Sequence, residues 1–193
     1  MALILASTSK VRTRMLAEAG VAHKVRAPAV DEEAVKRSHC GDGASLALRL
    51  AEAKARSLAA DPGDWVIGSD STVSVDGKPY SKPRDRAEAA DHLAAFSGRT
   101  MLLSSAVALA RVGGDEWSHC DSATLDFRAL SPGFIDAYLD AEWPEVAYCV
   151  GVFRIEGRGV TLFDRIAGNH FTILGMPLLP LLAALRARGL LAS

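Results

Sequence analysis

At 193 residues, 49% of them hydrophobic and 23% charged, the chain has the make-up of a soluble globular protein with one substantial core, and it is too short for two ordinary domains. Twenty-two Lys and Arg against 23 Asp and Glu leave a net charge of −1, so no general polyanion-binding field is implied and nucleic acid is not an expected partner. Cys40, Cys120 and Cys149 form no CxxC pair, which points to a reducing compartment rather than to a disulfide framework or a zinc site.

Leu3–Ala6 reads as a short buried strand, and Ser7-Thr8-Ser9 offers capping hydroxyls to a helix closed by Gly20. A strand running into a Ser-rich helix start places free N–H groups, hydroxyls and the helix dipole at one anion site, over which Arg12 can reach; plain capping explains the same residues. Met1–Ala6 lacks the basic region and the length of a signal peptide. His23–Ala27 reads as a second strand, stopped by Pro28 and followed by the acidic cluster Asp31-Glu32-Glu33. Ala44–Ala60 is helical in pattern, with Lys54 on the apolar face between Leu50 and Leu58. A lysine there either snorkels to water or meets an anion.

The chain is organised around Trp65–Pro83. Trp65-Val66-Ile67 is a buried strand that delivers Asp70 where it leaves the core, the end of an α/β strand at which ligands gather. Val73-Ser74-Val75, the turn Asp76-Gly77 and Lys78–Ser81 form a hairpin that brings back Lys82, held out of helix by Pro83. Asp85 caps a helix to Phe96, Met101–Val112 and Trp117–Arg128 form a second ribbon, and Ser131-Pro132 starts another helix. Glu142–Gly159 is irregular; Val160–Phe163 and Asn169–Leu174 read as strands, and a last helix follows Pro177. The apolar run Ile173–Leu185 is broken by Gly175, Pro177 and Pro180 and falls short of the roughly 20 residues that span a bilayer. A soluble, cytoplasmic α/β protein is expected, its mixed sheet flanked by helices, with Ser7, Asp70 and Lys82 converging at a cleft.

Several motifs now fit one family. Leu5-Ala6-Ser7-Thr8-Ser9-x-x-Arg12-x-x-Met15-Leu16 resembles the opening of the Maf-like nucleotide pyrophosphatases. Asp31-Glu32, Ala53-Lys54-Ala55, Ile67-Gly68-Ser69-Asp70, Gly77 with Lys82-Pro83, Ser97-Gly98-Arg99, Ile166-Ala167-Gly168 and Gly175-Met176-Pro177-Leu178 continue the match in order, over nearly the whole chain.

The resemblance implies a single domain over 1–193, with an inosine-triphosphate-pyrophosphatase-like fold of two lobes around a central cleft, and a homodimer. It implies hydrolysis of a nucleoside triphosphate to the monophosphate and pyrophosphate with a divalent cation, Mg²⁺ or Mn²⁺. Carried over, Ser7, Arg12, Lys54 and Lys82 hold phosphates, while Glu32 and Asp70 manage the metal and the attacking water, with Asp70 the proton acceptor. Ser71 and Glu156 stand where relatives contact the nucleotide. Relatives acting on dTTP and UTP carry Asp-Thr where this chain has Asp70-Ser71, and Gln where it has Glu156, which only accepts. Gly68-Ser69-Asp70 resembles the branch acting on 7-methyl-GTP, so the base stays open. Two other readings have a basis. The family's name comes from septum inhibition, which fits a nucleotide-binding regulator without turnover. An apolar strand ending in Asp70 fits a haloacid-dehalogenase-like phosphatase, but that needs a second Asp where Thr72 stands.

Overall fold

The computed structural model describes residues 1–111 and 113–192. Its elements are β1 (Leu3–Ala6), α1 (Lys10–Glu18), β2 (Lys24–Arg26), α2 (Glu32–Arg37), α3 (Gly43–Arg56), β3 (Trp65–Val75), β4 (Lys78–Tyr80), α4 (Arg86–Phe96), β5 (Thr100–Arg111), β6 (Glu116–Phe127), α5 (Pro132–Glu142), β7 (Phe163–Ala167), α6 (His170–Ile173) and α7 (Leu178–Ala187). Two 3-10 turns, Glu145–Tyr148 and Arg158–Leu162, lie between α5 and β7. The strands form one mixed sheet in the order β2-β1-β3-β5-β6-β7, with β4 paired to β3. The chain divides into two compact units, one of Met1–Ser71, Ser104–Asp121 and His170–Ser193, the other of Thr72–Leu103 and Ser122–Asn169.

In the first unit β1 runs parallel to both β2 and β3, with Leu5 opposite Ile67 and Ala6 opposite Gly68. Leu5, Leu16, Ile67, Leu109, Met176 and Leu181 belong to one buried cluster, which seats α1 and α7 against the strands. Helix α3 packs through alanines: Ala47, Ala51 and Ala55 meet Ala106, Ala108 and Ala110. Small side chains let backbones approach, and Gly68 takes that approach to its limit. A Cβ at Gly68 would lie 2.1 Å from the Ala51 carbonyl oxygen and 2.5 Å from the Ala55 nitrogen. Glycine is therefore required here for space. Gly68→Ala should cost about 3 kcal/mol, at the upper end of overpacking penalties, and lower Tm by about 10 °C in a thermal melt. An unchanged melt would show that α3 lifts off without cost.

In the second unit the distal half of β3 turns back into β4, with Val75 opposite Lys78 and Val73 opposite Tyr80. Asp76 (φ 50°) and Gly77 (φ 75°) make the two-residue turn, both in the left-handed region that a type I′ hairpin needs. Asp85 caps α4, which buries Ala89, Leu93 and Phe96. Phe96 packs on Tyr80 and Phe127, and Phe163 on Phe127 and Phe153, giving the unit an aromatic core. Ser131 caps α5, whose buried Glu142 is paired to Arg154 at 2.8 Å.

Four expectations need correction, and Val112, the expected end of β5, lies outside the described residues. Helix α3 stops at Arg56 because the Ser57 hydroxyl donates to the Lys54 carbonyl at 2.9 Å, after which Leu58 and Ala60 pack on Ile4, Ala6 and Val66. Strand β3 does not end near Asp70; pairing with β4 and burial of Val73 and Val75 carry it on to Val75. The acidic cluster, to which the sequence assigned no element, begins a short helix, α2, capped by Asp31. Val160–Leu162 belongs to a 3-10 turn, and the strand starts only at Phe163. Asn169–Leu174 contains helix α6 rather than a strand; the apolar run was too short for periodicity to separate the two.

Candidate active site

Lys54 is the centre of the site. It projects from the last turn of α3 and is only 6% exposed. Its ammonium lies 2.6 Å from Asp70 Oδ1, on β3, and 2.8 Å from Glu32 Oε1, at the start of α2. The lysine on the apolar face has met anions instead of snorkelling. The close seat of α3 on Gly68 explains the geometry, since Asp70 is two residues further along the same strand and on the same face.

Arg12 approaches from α1. Its Nε donates to the Gly175 carbonyl at 2.9 Å and its Nη2 to Ser71 Oγ at 3.1 Å. Burial pushes the guanidinium below its ordinary pKa, while the charges of Asp70 and Glu32 act in the opposite direction. Two carboxylates and two cations are thus gathered where water is partly excluded. Ser7, buried at the exit of β1, accepts from the Ser9 N–H at 3.1 Å, and Ser9 in turn caps α1. Six of the eight residues singled out in the sequence (Ser7, Arg12, Glu32, Lys54, Asp70 and Ser71) therefore belong to the first unit.

Lys82 and Glu156 belong to the second unit, and both are exposed. Lys82 follows β4 and lines a hollow of about 330 Å³ with Lys78, Tyr80, Glu88 and His92. Burial above all pushes the Cys149 thiol up to about 11; Glu156 adds to the rise, while Arg154 and Lys82 oppose it. Lys82 and Glu156 thus both lie within electrostatic reach of Cys149.

The sequence reading missed Ser69, Ser105, Thr172 and the Gly175 carbonyl. Ser69 Oγ lies within hydrogen-bond distance of the Ala106 and Gly175 carbonyls, at 2.8 and 3.0 Å, and Ser105 Oγ donates to the Thr172 carbonyl at 2.7 Å. A signal was available: Ser104-Ser105 interrupts an otherwise apolar strand, and a buried hydroxyl needs a partner.

Comparison with known proteins now decides the kinship. The model of the family described as Maf-like protein matches residues 2–188. This chain belongs to the Maf-like family. It is 48% identical, over 98% of its length and 95% of the relative's, to a protein of Nitrobacter hamburgensis named nucleoside triphosphate pyrophosphatase. It is 47% identical, over 97% of its length and 96% of the relative's, to one of Rhizobium meliloti named 7-methyl-GTP pyrophosphatase. Likeness to a solved structure is weaker: the Staphylococcus aureus Ham1 protein aligns over 65% of this chain and 71% of its own with a TM-score of 0.43 and 15% identity.

The donor set of this Maf-like chain bears on a metal. Among the described residues no group of three or more His, Cys, Asp or Glu is arranged to hold an ion. Glu32 and Asp70 offer two carboxylates that share one ammonium. Mg²⁺ commonly takes one or two carboxylates and completes its shell with phosphate oxygens and water. The pair fits a cation that arrives with a polyphosphate. Among the described residues no helix is long and apolar enough to cross a membrane.

Proposed function

We propose that this chain is a nucleoside triphosphate pyrophosphatase, releasing the nucleoside monophosphate and pyrophosphate from a standard or modified nucleotide. The observation that carries the reading is Lys54 held between Asp70 and Glu32 with Arg12 beside them. Cleaving a phosphoanhydride needs cations for the phosphates and a carboxylate for the water, held in place beforehand. Asp70 presents one oxygen to Lys54, which leaves the other to accept a proton from water. A divalent cation bound by Glu32 and Asp70 would neutralise charge on the polyphosphate. Lys54 would then turn from the carboxylates to the phosphates beside Ser7 and Arg12, with Ser71 supporting Arg12; Lys82 is assigned to phosphate and Glu156 to the base on the family resemblance alone. Mg²⁺ or Mn²⁺ is the cation proposed, and a cytoplasmic homodimer that clears unwanted nucleotides is the setting.

The test is pyrophosphate release from a panel of nucleoside triphosphates, 7-methyl-GTP included, with Mg²⁺ or Mn²⁺. Release from at least one nucleotide is expected. Tight nucleotide binding without release would favour the alternative, a regulator of cell division. Glu156→Gln adds a donor where only an acceptor stood, and should move relative kcat/KM toward UTP or dTTP by about tenfold, within the roughly 1–3 kcal/mol of a polar group gained or lost. An unchanged profile would make Glu156 an ordinary surface acid.

A further inference from the structure

The hydroxyls behind Arg12 form a chain whose direction can be assigned by counting protons. Ser71 Oγ lies 3.1 Å from Arg12 Nη2, 2.8 Å from Ser105 Oγ and 3.3 Å from the Gly175 carbonyl. Ser105 has a single proton, and its 2.7 Å contact with the Thr172 carbonyl uses it. Ser71 must then donate across the 2.8 Å contact and accept from Arg12; the 3.3 Å contact is the weakest of the set. The order is Arg12 to Ser71 to Ser105 to the Thr172 carbonyl. Thr172 is itself fully buried, and its own hydroxyl donates to Asp121 Oδ2 at 2.8 Å.

Helix α6 is thereby pinned to β5 through Ser105 and to β6 through Asp121. Two residues past α6, the Gly175 carbonyl accepts Arg12 Nε. Gly175 has φ +105°, and a Cβ there would sit 3.3 Å from Ser71 Oγ and 3.5 Å from Arg12 Nη2. The Nη2 end of the guanidinium edge therefore rests on a hydroxyl that Ser105 contacts directly, and the Nε end on the carbonyl of Gly175, whose N–H donates at 3.0 Å to the same Thr172 carbonyl that Ser105 holds and whose oxygen lies 3.0 Å from Ser69 Oγ. An arginine otherwise loses rotamer freedom when it grips an anion, and fixing its fork beforehand removes that cost.

We infer that Ser105, fully buried on β5, is a positioning residue that acts through Ser71 and the Thr172–Gly175 turn to hold Arg12 ready for phosphate. The inference deepens the pyrophosphatase reading and rests on it. It is tested by a double-mutant cycle of Ser105→Ala and Arg12→Ala, read by kcat and KM separately and by calorimetric binding of inorganic tripolyphosphate. Ser105→Ala should weaken tripolyphosphate and raise KM about tenfold in the wild-type background, and change either by less than about twofold once Arg12 is alanine. Ser105→Thr, which keeps the hydroxyl, should recover most of the loss, and Ser71→Ala should reproduce it if Ser105→Ala folds poorly. A ligand-free reading runs alongside: the Arg12 Nε–H exchanges slowly by NMR in the wild type and faster in Ser105→Ala. Equal losses in both backgrounds, or unchanged Nε–H exchange, overturn the positioning role. A wild type with slow exchange but no pyrophosphate release from any nucleotide overturns the pyrophosphatase reading instead, and Ser105 then orders Arg12 for another anion.

Discussion

Asp70→Asn is expected to lower pyrophosphate release by about 10²–10⁴-fold, the range that a positioned general base supplies. The substitution keeps shape and removes basicity and charge. It also changes the partner of Lys54, whose 2.6 Å contact with Asp70 becomes a contact with a neutral amide. Nucleotide binding should survive better than turnover, because Ser7, Arg12 and Lys54 keep their charge and hydroxyls. The measurement is pyrophosphate release beside calorimetry with a non-hydrolysable analogue. Turnover within about threefold of wild type would remove Asp70 from the chemistry.

Lys54→Met should be nearly as damaging to kcat/KM, by about a hundredfold, because it deletes a desolvated charge meant for a polyanion. Its second effect is more diagnostic. In the free protein Lys54 occupies both Asp70 and Glu32, so a free divalent cation must compete with an ammonium already in place. Methionine keeps the apolar stem in the α3 seam and removes that competitor. Binding of Mn²⁺ without nucleotide, followed by its paramagnetic signal, should tighten about tenfold, of the order expected for one charge contact near a protein surface. Stability should fall as well, since two carboxylates are left facing each other. Unaltered Mn²⁺ affinity would show that the metal, if bound, does not use these oxygens.

Much of this protein is legible in its amino-acid sequence. Strand β1, the capped helix α1, the Asp76-Gly77 hairpin, the Asp85 and Ser131 caps and helix α7 are local events, set by hydroxyl caps, turn residues and hydrophobic period within a few positions of each other. The motifs likewise sufficed for the family. The tertiary structure decided what depends on partners distant in sequence. Asp70 lies within a strand because β4 pairs beyond it, and α6 is a helix whose Thr172 is anchored by Ser105 and Asp121. That Lys54 would meet a carboxylate was one of two outcomes open to a lysine on an apolar face. Gly68 settled it, because a strand without a side chain there lets α3 come close enough for one ammonium to reach both Asp70 and Glu32. The support behind Arg12 was the least visible part, since Ser71, Ser105 and the Thr172–Gly175 turn lie on three separate stretches of chain and only folding makes their hydroxyls and carbonyls a single hydrogen-bonded set.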